Sequence, residues 1–283
     1  HHWRNHNSRN GSRRNIAAHY DLGNDFYQLW LDPTMSYSSA LYTSDQQSLQ
    51  QAQTSKYQQI IDLLKPADSD HILEIGCCWG GCAEQLLQQQ KNVRLHGITL
   101  SQEQLQWSRD RLASAGLDKR ANISLTDYRD LLSQYDAIVS IEMFEAVGEK
   151  YWDSYFATLK QSLKPRGSAV LQVISIDEER FETYRHQADF IQRYIFPGGM
   201  LPSISRLEQK FAEHGFSLQH KQLFGKDYAR TLKLWRERFE QQTEALERLG
   251  YDEKFRRLWR YYLCYCEGGF EEGSIDVGLY QLV

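Results

Sequence analysis

The chain has 283 residues, of which 41% are hydrophobic and 25% charged, a composition that excludes fibres and intrinsic disorder and leaves room for one large domain with a substantial cap. Lys plus Arg number 33 against 37 Asp plus Glu, a formal charge of -4, whereas a dedicated nucleic-acid binder carries a basic excess. No run reaches the roughly 18–20 consecutive apolar residues of a membrane-spanning helix, so the expectation is a soluble, cytoplasmic protein. Cys77, Cys78, Cys82, Cys264 and Cys266 are odd in number and lack a secretory framework, which points to free thiols in a reducing compartment. No His stands at a zinc-finger spacing from them, and no metal is expected.

Residues 1–15 are polar and basic, with Arg4, Arg9, Arg13 and Arg14, and read as an interdomain linker of a longer protein. The domain proper is expected over 16–283, beginning with an N-terminal helical cap at 16–65 that holds the string YDLGNDFYQLW. His19 in that block reads as a structural histidine. From residue 70 onward strands and helices alternate: strand 71–75, a glycine-bearing turn at 76–81, helix 83–90 and strand 93–99. Ser101 then opens a helix with Gln104 closing an S-x-x-Q capping box. Further strands are expected at 122–125, 135–141 and 169–176, the last preceded by a turn at 164–167. This rhythm builds a doubly wound α/β sheet. Residues 216–223 and 229–235 are candidates for an antiparallel edge, the second equally readable as the start of a helix running to 249. The stretch 177–204 interrupts the pattern, and long additions at the carboxyl edge of a parallel sheet cover the ligand crevice.

The string ILEIGCCWGG at 72–81 places an acidic residue and glycines where a strand turns into a helix, which lets a ligand approach backbone amides closely. It lacks the G-x-G-x-x-G dinucleotide fingerprint and the G-x-x-x-x-G-K-[ST] phosphate loop. No acidic residue closes strand 93–99. A nucleoside without phosphates fits these features better, and S-adenosylmethionine is the leading candidate; a plain tight turn is the other reading.

Six strings in order carry a resemblance: HYDLGNDFYQLWLDPTMSYS at 19–38, ILEIGCCWGG at 72–81, GITLSQEQ at 97–104, SIEMFEAVGEKYW at 140–152, FIQRYIFPGGMLPS at 190–203 and DYARTLKLWRERF at 227–239. From about residue 12 to the end the chain resembles the cyclopropane-fatty-acyl-phospholipid synthase family, with its mycolic acid cyclopropane synthase relatives. The resemblance implies a Rossmann-like class I methyltransferase fold, with a mostly parallel seven-stranded sheet, a helical N-terminal cap and an inserted substrate-covering segment. It implies S-adenosylmethionine-dependent transfer of a methyl carbon to the cis double bond of an unsaturated acyl chain, commonly in a phospholipid, followed by proton loss to close a cyclopropane. Carried over by position, the cofactor pocket comprises Tyr37, Ser38, Glu74, Gly76, Cys78, Gly80, Thr99, Leu100, Ser101, Gln104, Tyr128 and Arg129. The family also holds a bicarbonate ion beside the reacting carbon, and its shell here would be Glu145, Tyr228, Ser39 and Gln172.

Three positions depart from the family pattern. Cys78 replaces the Gly of GCGWG, at a cost of about 1–2 kcal/mol if the backbone there has positive φ. Ser39 replaces a Cys, and Gln172 stands where cyclopropane-forming members carry a His. A Gln amide can hold an anion but supplies neither a positive charge nor a base near neutral pH. Glu142 and Glu145, three apart, would share a face if the chain is helical from 144, raising one pKa. Glu145 is expected at the reacting centre and Glu142 in support. Aromatics in the covering regions, namely Phe26, Tyr27, Trp30, Phe144, Tyr194, Phe196 and Tyr265, are candidates for cation-facing rings as well as for ordinary core.

Near the C-terminus Phe255, Trp259, Tyr262 and Cys266 recur at helical spacing, with Arg256, Arg257 and Arg260 on other faces. This reads either as a helix lying on an anionic membrane surface, at the inner face, or as a packed final helix. A homodimer is left open. The other functional readings are a methylene- or methyl-branched acyl product, methylation of a small hydroxylated or amine acceptor, and a non-catalytic relative that binds S-adenosylmethionine or lipid.

Overall fold

The computed structural model describes residues 7, 11 and 22–283. The expected linker and His19 lie outside the described residues, apart from Asn7 and Gly11 in the 1–15 stretch, both buried. Seven strands form one sheet in the order β3-β2-β1-β4-β5-β7-β6. They are β1 His71–Ile75, β2 Arg94–Thr99, β3 Ala121–Leu125, β4 Tyr135–Ile141, β5 Leu163–Ile176, β6 Leu218–Leu223 and β7 Ile275–Leu282. β1 to β5 pair in parallel, and β7 runs antiparallel to both β5 and β6. This is the mostly parallel seven-stranded sheet expected, and of the two readings of 229–235 the helical one holds.

The stretch 229–235 is helical, inside Gly225–Glu240, where Ala229, Leu232, Trp235 and Phe239 are buried at the three- and four-residue spacing of a helix face. The seventh strand is instead β7, which has no alternating pattern because Val277, Gly278, Leu279 and Tyr280 are buried on consecutive positions. The turn at 164–167 is an excursion inside β5. Tyr135 pairs with Leu163, Ala137 with Ser168, and the intervening residues bulge out with Arg166 at φ 67°.

The helices are α1 Asn24–Gln28, α2 Leu49–Leu64, α3 Gly81–Gln89, α4 Gln102–Ser114, α5 Trp152–Ser162, α6 Glu178–His186, α7 Phe190–Tyr194, α8 Ile204–Glu213, α9 Gly225–Glu240, α10 Thr243–Arg248 and α11 Glu253–Glu271. Ser101 caps α4 by accepting from the Gln104 amide. The box is not closed, because the Gln104 side chain accepts from Thr99 Oγ1 at 2.8 Å instead. A complete capping box begins α2, with Ser48 and Gln51 bonded reciprocally.

Apolar cores fill both faces of the sheet. The one on the α2, α9 and α11 side is largely aromatic. Phe26 and Trp30 of the N-terminal block meet Trp259 of α11 with ring centroids 5.0 and 5.9 Å apart, and Trp30 meets Trp235 of α9 at 5.6 Å. Edge-to-face rings of this kind each add about 0.5–1.5 kcal/mol beyond area burial. The first and last parts of the chain are thereby fastened together beside the carboxyl ends of β1, β4 and β5.

Candidate functional site

A cavity of about 900 Å³ opens at the carboxyl ends of the central strands, where ligands bind in open α/β sheets. Its size is near the top of the roughly 300–1,000 Å³ range of small-molecule pockets. One end is built by the β1–α3 turn. Gly76 has φ 77°, and a Cβ there would come within 3.0 Å of the Met143 side chain, so only glycine leaves this wall open. Cys78 has φ 48° and also lines the cavity, so the positive φ on which its expected strain depends is present. Thr99, Leu100, Gln104, Tyr128 and Tyr37 complete this end.

Several expected cofactor residues face elsewhere. Ser38 is buried and its Oγ accepts from the Lys56 ammonium at 2.6 Å, while its carbonyl accepts from Gln53. Gly80 and Ser101 act as the N-caps of α3 and α4. Arg129 pairs with Asp127 at 2.6 Å and donates to the Asn7 carbonyl. Glu74 is buried beneath the turn, its Oε2 without a hydrogen-bond partner. Gln104 Nε2 is likewise buried without a partner on the cavity wall. An unmet donor beside a glycine cradle suits a phosphate-free nucleoside such as S-adenosylmethionine.

The middle of the cavity holds two carboxyls. Glu142, just past β4, takes φ 49°, and its Oε1 accepts from the Ser39 amide at 2.8 Å and from Gln172 Nε2 at 2.7 Å. Its Oε2 accepts from the Tyr228 hydroxyl at 2.7 Å. Glu145 sits in a short 3-10 turn, Phe144–Ala146. Its Oε1 accepts from the Ile174 amide, and its Oε2 is buried without a partner. Ser39, Gln172 and Tyr228, expected with Glu145 around a bound anion, are gathered around Glu142 instead. The cause is local: left-handed backbone at residue 142 turns that side chain toward β5 and α9, whereas the sequence argument assumed a helical face shared by both. Ser39 serves through its amide, since its hydroxyl donates to the Ala40 carbonyl.

Burial sets the protonation here. Glu142 is raised above the usual carboxylate range by desolvation, opposed by its bonds from Tyr228 and Ser39 and by the charge of Lys56. Glu145 is pushed up to about 8 by burial and then by the negative charge of Glu142. Glu74 is pushed up to about 8 by burial, with Lys56 opposing. Lys56, wholly buried, is brought down to about 8 by desolvation, with Glu142 and Asp32 opposing. The two neighbouring carboxyls titrate as a pair, and the charge resides on Glu142 because three donors point at it.

Lys56 was not singled out from the sequence. Its only signal is a Lys on the apolar stripe of α2 with Ala52, Gln53 and Ile60, all buried. Of the aromatics weighed as cation-facing, Phe196 and Tyr265 line the cavity, Phe26, Tyr27, Trp30 and Phe144 are core, and Tyr194 is 63% exposed. Tyr262, Cys266 and Gly269 of α11 form the far wall, with Asp189, Gln192 and Met200 from 177–204 above it.

The chain matches the family described as mycolic acid cyclopropane synthetase over residues 7–280. It belongs to that family. It is 41% identical to tuberculostearic acid methyltransferase UfaA1 of Mycobacterium tuberculosis over 99% of this chain and 67% of the relative. It is 40% identical to cyclopropane-fatty-acyl-phospholipid synthase of Escherichia coli over 94% of this chain and 66% of that one. The chain thus spans about two thirds of the length of both relatives. The crystal structure of mycolic acid cyclopropane synthase CmaA1 complexed with SAH and CTAB superposes with a TM-score of 0.90 at 30% identity, covering 95% of this chain and 97% of that one. The fold is that of class I S-adenosylmethionine-dependent methyltransferases.

Proposed function

We propose that the chain transfers a carbon from the methyl group of S-adenosylmethionine to the cis double bond of an unsaturated fatty acyl chain, in a phospholipid, and closes a cyclopropane. The observation that carries this reading is one continuous cavity with a nucleoside-suited glycine end, a carboxylate centre and an apolar far wall between α11 and 177–204. An alkene is a weak nucleophile, so holding it in line with the methyl donor supplies much of the rate. The positive charge that develops on the alkyl carbons is offset by the Glu142 carboxylate in a dry site. Tyr37, Gly76, Cys78, Thr99, Gln104 and Tyr128 are the residues proposed to hold the cofactor, which when bound supplies the activated methyl. Ser38, Glu74, Gly80, Ser101 and Arg129 support that end from behind. The stretch 177–204 is proposed as the substrate cover.

Among the described residues no helix is long and apolar enough to cross a membrane, so lipid is reached through surface contact in this reading. Beside the cavity's far wall Tyr194, Tyr261 and Tyr265 are 63%, 54% and 41% exposed. Arg193, Arg257 and Arg260 are exposed next to them in sequence. Tyrosines with flanking arginines suit the headgroup region of an anionic bilayer.

Incubation with methyl-labelled S-adenosylmethionine and vesicles of unsaturated phospholipid, followed by mass spectrometry and proton NMR of the acyl chains, tests the reading. A labelled cyclopropane with its upfield ring protons is expected. A methyl-branched product would favour the second reading, which the name of the 41% identical relative recommends. Absence of label in lipid despite cofactor binding would refute both.

A further inference from the structure

The family's bicarbonate, tested against this chain, does not fit. Its expected shell is Glu145, Tyr228, Ser39 and Gln172, and the three of these that donate are already committed to one group: the Ser39 amide and Gln172 Nε2 donate to Glu142 Oε1, and Tyr228 donates to Glu142 Oε2, while Glu145 accepts from the Ile174 amide. We infer that the Glu142 carboxylate stands in the place of the bound anion and is the base that takes the proton released as the ring closes, so that turnover needs no bicarbonate. The inference rests on the acyl-chain reading above and adds to it the identity of the base.

Four observations besides the hydrogen bonds support it. Glu142 lines the cavity with Met143 and Glu145, so it borders the space proposed for the reacting chain. It is held at φ 49°, a conformation that a bulky residue adopts at a cost and that clusters at functional sites. Burial makes it a stronger base than a solvated carboxylate, while Glu145 beside it retains its proton up to about pH 8. The fully buried Lys56 ammonium, which donates to Ser38 and is near enough to lower the Glu142 pKa, offsets part of the negative charge.

The step balances as follows. The alkene π pair forms the new C–C bond to the methyl carbon while the S–CH₃ bond breaks and its electrons remain on sulfur. This leaves the positive charge on the adjacent alkyl carbon. A C–H bond of the added carbon then breaks, its electron pair closes the ring onto that cationic carbon, and the proton goes to Glu142 Oε2. Tyr228, bonded to that oxygen, positions it.

The test compares the whole chain with Glu142→Gly and Glu142→Gln. Glycine is at ease at φ 49°, so Glu142→Gly removes the base without loading the backbone, and a melting curve with a measurement of SAH affinity verifies its integrity. Two readouts are taken: turnover on unsaturated phospholipid vesicles in carbon-dioxide-stripped buffer with and without added bicarbonate or formate, and binding of ¹³C-bicarbonate by NMR. The wild type is expected to turn over equally with and without bicarbonate and to bind none of the label. Both variants are expected to lose about 10²–10⁴-fold in kcat with KM little changed. Glu142→Gly, with its shell vacated, is expected to bind the labelled ion and to regain activity with bicarbonate or formate. Bicarbonate-dependent wild type, or full activity of Glu142→Gly in stripped buffer, would overturn the inference. The NMR readout separates this failure from failure of the acyl-chain reading. Label bound by the wild-type shell would sink the inference even if no lipid product ever formed, and a wild type that binds none while methylating no lipid would leave the shell assignment standing and remove the acyl chain.

Discussion

At the scale of single residues, two of the six non-glycine residues that hold positive φ among the described residues stand on the cavity wall, the others being Met35, Lys65, Ser69 and Arg166. Cys78 and Glu142 both hold positive φ, 48° and 49°, and both line the same space. For Glu142 the conformation delivers a carboxylate to three donors. For Cys78 no such return is visible: its carbonyl accepts from Ser108 Oγ at 2.8 Å, a bond that any residue could accept. Cys78→Gly is therefore expected to stabilise the protein by about 0.5–1 kcal/mol, the left-handed penalty less the extra chain entropy of glycine. Thermal melting would register this as a rise of about 2 °C, and a fall would show that the thiol packs better than its backbone suffers. The strain was legible in the sequence as a Cys in a glycine-rich turn. The gathering of three donors around Glu142 was not, because it depends on one backbone torsion and on bringing residues 39, 142, 172 and 228 together from four segments.

Among the elements, α11 shows how periodicity identifies a helix and leaves its surroundings open. The spacing of Phe255, Trp259, Tyr262 and Cys266 is equally that of a membrane-lying face and of a packed one. Trp259, Tyr262 and Leu263 are buried against the N-terminal aromatics, so the apolar stripe is spent inside the protein, and Arg256 is bonded to the Tyr251 carbonyl and Glu247. What remains outside is Arg257, Arg260, Tyr261 and Tyr265, continued by Phe190 of α7, whose ring meets that of Tyr261 at 4.7 Å. If this face docks on lipid, Arg257→Glu with Arg260→Glu should weaken co-sedimentation with anionic vesicles by at least tenfold, taking about 1 kcal/mol per cation at the surface. Tyr261→Ser with Tyr265→Ser should weaken it at high salt as well, where screening removes the charge contribution. Unchanged sedimentation of both double variants would assign lipid contact to another surface. Strand β7 was illegible for the complementary reason: an element buried on both faces carries no alternation to read.

Across the whole molecule, the buried ionisable groups impose a pH dependence on stability whose sign can be worked out. Glu74 and Glu145 have folded-state values near 8 against an ordinary 4.5. Between those limits the folded protein binds more protons than the unfolded chain, so stability falls as pH rises from about 4.5 to 8. Lys56 is brought from 10.5 down to about 8, and between 8 and 10.5 the unfolded chain binds the extra proton, so its contribution rises with pH there. Together these groups place a trough near pH 8, where the molecule must either hold buried charges or gain them from one another. Glu74→Gln removes one descending limb while keeping the shape of the side chain. Urea unfolding of the wild type should give a midpoint that declines from pH 5 to pH 8, and the variant a shallower decline, with the two converging near pH 5, where Glu74 is protonated in the folded state. Parallel curves across that range would mean that Glu74 is solvated in the folded protein and that the turn above it is more open than its burial indicates.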